Sequence, residues 1–248
     1  MRHVTGSNGR QLVAAAGVVL DIAGTMSPSA EFTRGPYSYA RTRLINTVVR
    51  PEAELREVVA DVVADVRRVV GRSEADVHEV AQVLERWSDE GRAVAPLSTL
   101  QNAICRRGFV SGELRGSVFP DVHGTLVRWQ AAGVPLYVYS SWAAPVQQQW
   151  FSYSDEAGVA SLFSGHFDSR TTGVKTQPAA YTRIAGVLNS PPENLVFLSA
   201  ARGALDAAST AGWSTVGVRR PGEAQDDLGD HPGVTSFDEL DLSVAPSY

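Results

Sequence analysis

Residues 17 to 25 read Gly17-Val18-Val19-Leu20-Asp21-Ile22-Ala23-Gly24-Thr25. A short, continuous apolar run that ends in an acid predicts a strand buried on both faces, with a functional carboxylate at its carboxyl end. The same pattern recurs downstream. Pro135-Leu136-Tyr137-Val138-Tyr139 runs into Ser140-Ser141, Asn194-Leu195-Val196-Phe197-Leu198 runs into Ser199, and Ser214-Thr215-Val216-Gly217-Val218 follows. Helical periodicity lies between these runs, as from about Val122 to Ala132, where Gly133 closes the helix. Strands alternating with helices predict an α/β fold with right-handed βαβ units and a Rossmann-like parallel sheet whose strand ends carry the site.

One stretch breaks the alternation. From about Ser29 to Gly116, Leu55, Val58, Val59, Val62, Val63, Val66, Val69 and Val70 recur at three- and four-residue spacing. Val77, Val80, Ala81, Leu84 and Trp87 repeat the pattern. The expected organisation is an α/β core from residues 1–28 and 117–248, with residues 29–116 as a helical insert. Gly71-Arg72-Ser73 reads as a break between two helices, with Ser73, three residues before Asp76, as the N-cap signal. Residues 1 to 16 read as a loose extension, with Leu12 to Ala16 as lead-in to the core strand. The acidic, turn-rich tail from Gly222 reads as peripheral.

A chain of 248 residues, 44% hydrophobic, is long enough for one sizeable core or a core with an inserted domain. Its net charge of −5 argues against nucleic acid or an anionic membrane as partner, and leaves a small molecule. Nothing in it fixes an oligomeric state. The single cysteine, Cys105, excludes an intrachain disulfide and a multi-thiolate zinc site, which suits a reducing cytoplasm. No run approaches the roughly 20 apolar residues of a membrane span.

The four strand ends, in order DIAGT, YSS, GVK and FLSA, resemble the haloacid-dehalogenase superfamily. Finer fragments, DIAGTMSP, SYARTRL, GELRGSVFPDV, RWQAAGVPLYVYSS, LFSGHFD and VRRPG, resemble one branch of it. That branch is the 2,3-diketo-5-methylthiopentyl-1-phosphate enolase-phosphatases of methionine salvage, matched over about residues 18 to 222. The resemblance implies that the helical insert is a cap closing over the active site. It makes Asp21 the position of the nucleophile and metal ligand, and makes Thr25, Ser140 and Ser141 binding groups. Lys175 takes the position of the lysine that balances the nucleophile's charge.

The sequence departs from that family where the chemistry is densest. Ala23 stands where an acid takes part in proton transfer, and such a group typically contributes about 100- to 10,000-fold. Ala200 stands at the magnesium-binding aspartate, followed by Ala201, Arg202, Gly203 and Ala204, whereas Mg²⁺ takes one or two carboxylates in an octahedron of oxygens. Asp206 is six residues further on, roughly 9 Å along a helix at 1.5 Å per residue. The expectation is that no metal and no cofactor is used, Mg²⁺ entering only with an atypical site. Trp142 replaces a glycine beside the phosphate position; it either walls the anion pocket as a binding group or packs under the cap.

The leading expectation is a repurposed, metal-independent enzyme of specialised metabolism, an isomerase, lyase or cyclase acting on a carbonyl compound. Asp21 is its acid/base and Lys175 the electrostatic partner. A non-catalytic binding protein and a magnesium-dependent phosphatase with an atypical metal site are the alternatives. His123 and His166 are read as structural, Trp150-Phe151-Ser152-Tyr153 as packing, and Asp155-Glu156 and Asp226-Asp227 as solvated turns.

Overall fold

The computed structural model describes residues 4–5, 11–92, 94–224 and 227–244. Its strands are β1 (Val4–Thr5), β2 (Gln11–Ala15), β3 (Gly17–Leu20), β4 (Leu136–Ser140), β5 (Gly165–Asp168), β6 (Leu195–Ser199), β7 (Ser214–Val218), β8 (Gly233–Val234) and β9 (Leu240–Val244). Its helices are α1 (Ser29–Arg34), α2 (Pro36–Val49), α3 (Arg56–Val70), α4 (Val77–Asp89), α5 (Ala95–Val110), α6 (Val122–Ala131), α7 (Ala144–Ser152), α8 (Pro178–Val187) and α9 (Arg202–Thr210). Proline occupies the first turn of α2, α5, α7 and α8, where its fixed φ suits the helix and its missing N–H costs nothing. The chain divides into two units, Met1–Phe32 with Gly116–Tyr248, and Thr33–Arg115.

The first unit is built on a six-stranded sheet in the order β5-β4-β3-β6-β7-β8, parallel throughout. Every residue of β3 and β6 is buried, as expected for central strands covered on both faces. From β3 the chain moves outward through β4 and β5, then returns to lay β6 on the opposite side. The β3/β6 boundary is therefore the switch point, where carboxyl ends diverge and leave a crevice. One face is packed by Tyr139, Tyr181, Ile184, Phe197, Leu205 and Trp213, each large side chain contributing about 1.5–3 kcal/mol.

The second unit is helical. The stripe Val59, Val62, Val63 and Val66 of α3 is buried, as is Val80, Ala81, Leu84 and Trp87 of α4. Gly71 ends α3 in the left-handed region at φ 68°, which glycine adopts without strain. The N-cap of α4 is Asp76 and not Ser73: its carboxylate accepts from the His78 and Glu79 N–H groups, and Glu79 reaches back in a capping box.

Three expectations are corrected. The apolar stretch before Asp21 is two strands, because β2 leaves the main sheet to pair in parallel with β9 in a three-stranded sheet with β1. Of the expected loose extension, residues 1–3 and 6–10 lie outside the described residues. The tail is not peripheral: Phe237 and Leu240 are fully buried, and β8 closes the edge of the main sheet. The GVK stretch is not a strand end. The strand before it is β5, at the edge of the sheet, which ends seven residues before Lys175, and Lys175 sits in the turns that follow.

Candidate active site

The switch point sets Asp21 beside Ser199. Leu20 is in register with Leu198, the Asp21 N–H donates to the Leu198 carbonyl at 2.9 Å, and both chains turn away one residue later. The Asp21 carboxylate is 2% exposed and accepts four hydrogen bonds. Oδ1 takes the Ile22 N–H at 2.8 Å and Lys175 Nζ at 2.6 Å, while Oδ2 takes Lys175 Nζ at 2.7 Å and Ser199 Oγ at 2.8 Å. A carboxylate buried this deeply requires such partners, since removing one member of a buried pair costs about 3–5 kcal/mol.

The main chain around Lys175 is fixed by two phenols. Tyr139 Oη donates to the Gly173 carbonyl at 2.5 Å, and Tyr181 Oη donates to the Lys175 carbonyl at 2.9 Å. Burial pushes the Tyr139 hydroxyl up to about 12 and the Tyr181 hydroxyl higher still, with the Asp21 charge adding to both. Both phenols therefore stay protonated and keep donating. The Lys175 side chain itself is 18% exposed, against 2% for that of Asp21.

Thr25 is fully buried, and its Oγ1 accepts the Ala200 N–H at 2.9 Å, tying the loop after β3 to the loop after β6. Between them Gly24 lies at φ 66°, and a Cβ there would sit 3.2 Å from the Ala200 Cβ. The Thr25 carbonyl accepts from Arg220 Nε at 2.9 Å, and Arg220 Nη1 donates to Asp121 at 2.6 Å between the rings of Phe119 and Phe237. Asp121 also accepts from the Ser236 hydroxyl and the Phe237 N–H, so the tail braces the Asp21 loop. Burial raises the Asp121 carboxyl, but its bonds to Arg220, Phe237 and Ser236 outweigh that and hold it below the usual carboxylate range.

Of the sequence-derived site residues, Asp21 and Lys175 are thus joined directly. Thr25 holds the two loops together through the Ala200 N–H. Ser140 is buried and accepts the Trp142 N–H at 3.3 Å, whereas Ser141 is exposed. Trp142 is 2% exposed, with its indole edge-on to Trp150 at 5.1 Å and its carbonyl held by Gln147 Nε2 at 2.7 Å. Its indole is thus packed within the core unit. Ser199, Tyr139, Tyr181 and the Arg220–Asp121 pair escaped the sequence reading. Only Ser199 carried a usable signal, a polar residue at the end of a buried strand, as at Ser140.

The remaining candidates are structural. His166 Nδ1 lies 3.2 Å from Gln147 Oε1, and burial pulls the imidazole down to about 4. His123 faces Glu156 at 3.4 Å, and Trp150 and Phe151 are buried. Asp206 is engaged by His231 at 2.9 Å. Of the pair Asp226-Asp227, Asp226 lies outside the described residues.

No family model matches the chain. It is 45% identical over 227 residues to an enolase-phosphatase E1 of Frankia alni, covering 92% of this chain and 95% of that one. It is 42% identical to an enolase-phosphatase E1 of Nocardia farcinica, over 92% and 97% of the two chains. Among solved structures, the UTR4 protein of Saccharomyces cerevisiae superposes with a TM-score of 0.78 at 21% identity, over 91% of this chain and 100% of that one, which bears on the fold alone.

These relatives correct the expectation that no cofactor is used: enolase-phosphatases are a magnesium-dependent class, and Mg²⁺ is the cofactor they imply here. The donors present do not fit that ion. Both Asp21 oxygens already carry two hydrogen bonds each, and Ala200 supplies no oxygen from its side chain. Asp168, at the end of β5, is taken up by the N–H groups of Ala144, Arg170 and Thr171. Among the described residues no cluster of three or more His, Cys, Asp or Glu side chains is placed to hold a metal.

Proposed function

Because the chain belongs to the enolase-phosphatase family of haloacid-dehalogenase-type proteins, we propose that it binds a small phosphorylated carbonyl compound and moves a proton at the carbon next to the carbonyl. This is the enolase half of the chemistry in the relatives' name. Asp21 carries the proton, and the Lys175 ammonium offsets the charge that develops on the enolate oxygen. Ser141, exposed at the end of β4, is the group assigned to the phosphate. The observation that carries the reading is the Asp21–Lys175 ion pair, in a chain with alanine at positions 23 and 200. The pair can exchange a proton with a substrate, while the second acid that a phosphoryl transfer needs for its leaving oxygen is an alanine.

The helical unit Thr33–Arg115 is assigned the selection of substrate, as the cap of such enzymes. A reducing cytoplasm is the proposed setting, supported by a single cysteine, Cys105, that is fully buried and whose thiol burial pushes up to about 12. In addition, no helix among the described residues is long and apolar enough to cross a membrane.

The test is to incubate the protein with 2,3-diketo-5-methylthiopentyl-1-phosphate in D₂O, with and without Mg²⁺. Proton NMR then follows exchange at the carbon beside the carbonyl, and phosphorus NMR follows phosphate release. The expected result is exchange that outruns phosphate release and disappears in Asp21→Asn. A second reading, complete enolase-phosphatase turnover, is favoured by the 45% identity over nearly the whole chain. Phosphate release keeping pace with exchange would establish it and dismiss the first.

A further inference from the structure

We infer that Lys175 is a covalent catalyst, whose amine condenses with the substrate carbonyl to form an imine before the neighbouring carbon is deprotonated. The inference rests on the reading above that the substrate is a carbonyl compound, and it goes beyond it by giving Lys175 a bond to that substrate.

The first observation is compositional. Lys175 is the only lysine among the chain's 22 lysines and arginines. Wherever else this chain sets a long cationic side chain against a carboxylate, it uses arginine, as in Arg41–Asp89, Arg107–Glu52 and the buried Arg220–Asp121. A guanidinium fork matches the two oxygens of a carboxylate better than an ammonium does. If pairing with Asp21 were the whole role, arginine would serve it. Lysine supplies what arginine cannot, an amine able to give up a proton and attack a carbonyl.

The second observation is geometric. Nζ lies 2.6 and 2.7 Å from the two Asp21 oxygens, so a proton can pass to the carboxylate without an intervening water. Asp21 is also held by Ser199 and the Ile22 N–H, and the Lys175 carbonyl is held by Tyr181, while the Lys175 side chain is 18% exposed. The ammonium first hands one proton to Asp21. Its nitrogen lone pair then forms the C–N bond as the carbonyl π pair moves to oxygen, which takes the proton back from Asp21. The nitrogen of the carbinolamine next returns a proton to Asp21, which passes it to the hydroxyl. The C–O bond breaks, water departs, and a protonated imine faces the Asp21 carboxylate. The iminium withdraws electrons from the adjacent carbon, whose proton Asp21 removes to give the enamine.

The test is reductive trapping on the full chain with dihydroxyacetone phosphate as the carbonyl probe and sodium cyanoborohydride as reductant, read by intact mass and peptide mapping. The only other primary amine in the sequence is the terminal one, so the map is unambiguous. The expected result is one reduced adduct per chain on the Lys175 peptide, falling by about tenfold or more in Asp21→Asn. Adduct confined to the terminal amine would overturn the inference, whatever the variants do. Hydrogen exchange separates it from the reading it rests on. Exchange in the wild-type protein with no Lys175 adduct leaves the acid/base role of Asp21 standing and removes the imine; adduct without exchange does the reverse. Lys175→Arg, checked for folding by its thermal melt, keeps the charge and is expected to lose both adduct and exchange.

Discussion

The N–H of Ala200 donates to Thr25 Oγ1 at 2.9 Å, so a hydroxyl from the β3 loop clasps the β6 loop. The Thr25 side chain is fully buried and the bond partly so, and an unmet buried N–H costs at most about 1–3 kcal/mol. Thr25→Val, which keeps the shape and removes the acceptor, is therefore expected to lower unfolding free energy by about that amount. Thr25→Ser should recover most of it. Chemical denaturation of the three proteins checks this, and a Val variant as stable as the wild type would disprove the clasp.

The buried Arg220 pairs with the partly buried Asp121 and so joins the tail to the Asp21 loop. Asp121→Asn is expected to cost about 3–5 kcal/mol, because it leaves the buried guanidinium without its counter-charge. The Asp121 carboxyl is held below its ordinary range, so the stability it contributes is complete above about pH 4 and is lost as pH falls through the lowered value. Urea midpoints measured between pH 6 and pH 3 should fall less steeply in Asp121→Asn than in the wild type.

His166 titrates in the opposite sense from a paired histidine. Burial pulls it down to about 4. The unfolded chain, with an ordinary value near about 6.5, takes up the proton first, so stability is full above that pH and declines as pH drops toward 4. The loss is expected to reach about 3 kcal/mol, at about 1.36 kcal/mol per unit of difference. His166→Gln should flatten the pH 4 to 6.5 range; an unchanged slope would place the decline elsewhere.

Trp142 packs edge-on against Trp150 inside the core unit. Trp142→Ala is expected to destabilise by about 3–5 kcal/mol, the usual cost of removing a large buried aromatic. A thermal melt decides: a Trp142→Ala protein of wild-type stability would mean that the indole serves a ligand and not the fold.

Ala200 leaves the β6 loop without a carboxylate opposite Asp21. Ala200→Asp adds the second carboxylate that Mg²⁺ prefers, and calorimetry is expected to show affinity for the ion rising by about tenfold or more over the wild type. Equal affinities would show that the donors already present suffice.

The architecture was legible because parallel strands buried on both faces leave a distinctive text. Val18-Val19-Leu20, Leu136 to Tyr139 and Leu195 to Leu198 are continuous apolar runs that no exposed element tolerates, and each predicted strand formed. Elements whose pattern is weak or shared were not legible. β5 is only four residues with half its side chains partly exposed, and β8 is only two residues, both short for the alternation test. Only a bend at Ala16, itself apolar, separates β2 from β3, so one apolar run concealed the crossing from one sheet to another.

At the site, the sequence by itself determined which chemical groups are present: a carboxylate at Asp21, an ammonium at Lys175, and alanines at 23 and 200 where acids would bind a metal or pass a proton. Composition also made that ammonium unique in the chain. Only the tertiary structure decided which of these groups meet, because contact between residues 21, 175 and 199 depends on strand order and on where each loop turns, and neither is encoded near those residues. It also separated Trp142 and Thr25 from Ser141. Adjacency to a site in sequence does not say which way a side chain points, and burial turned the first two inward to packing and to a backbone N–H while leaving the third facing solvent.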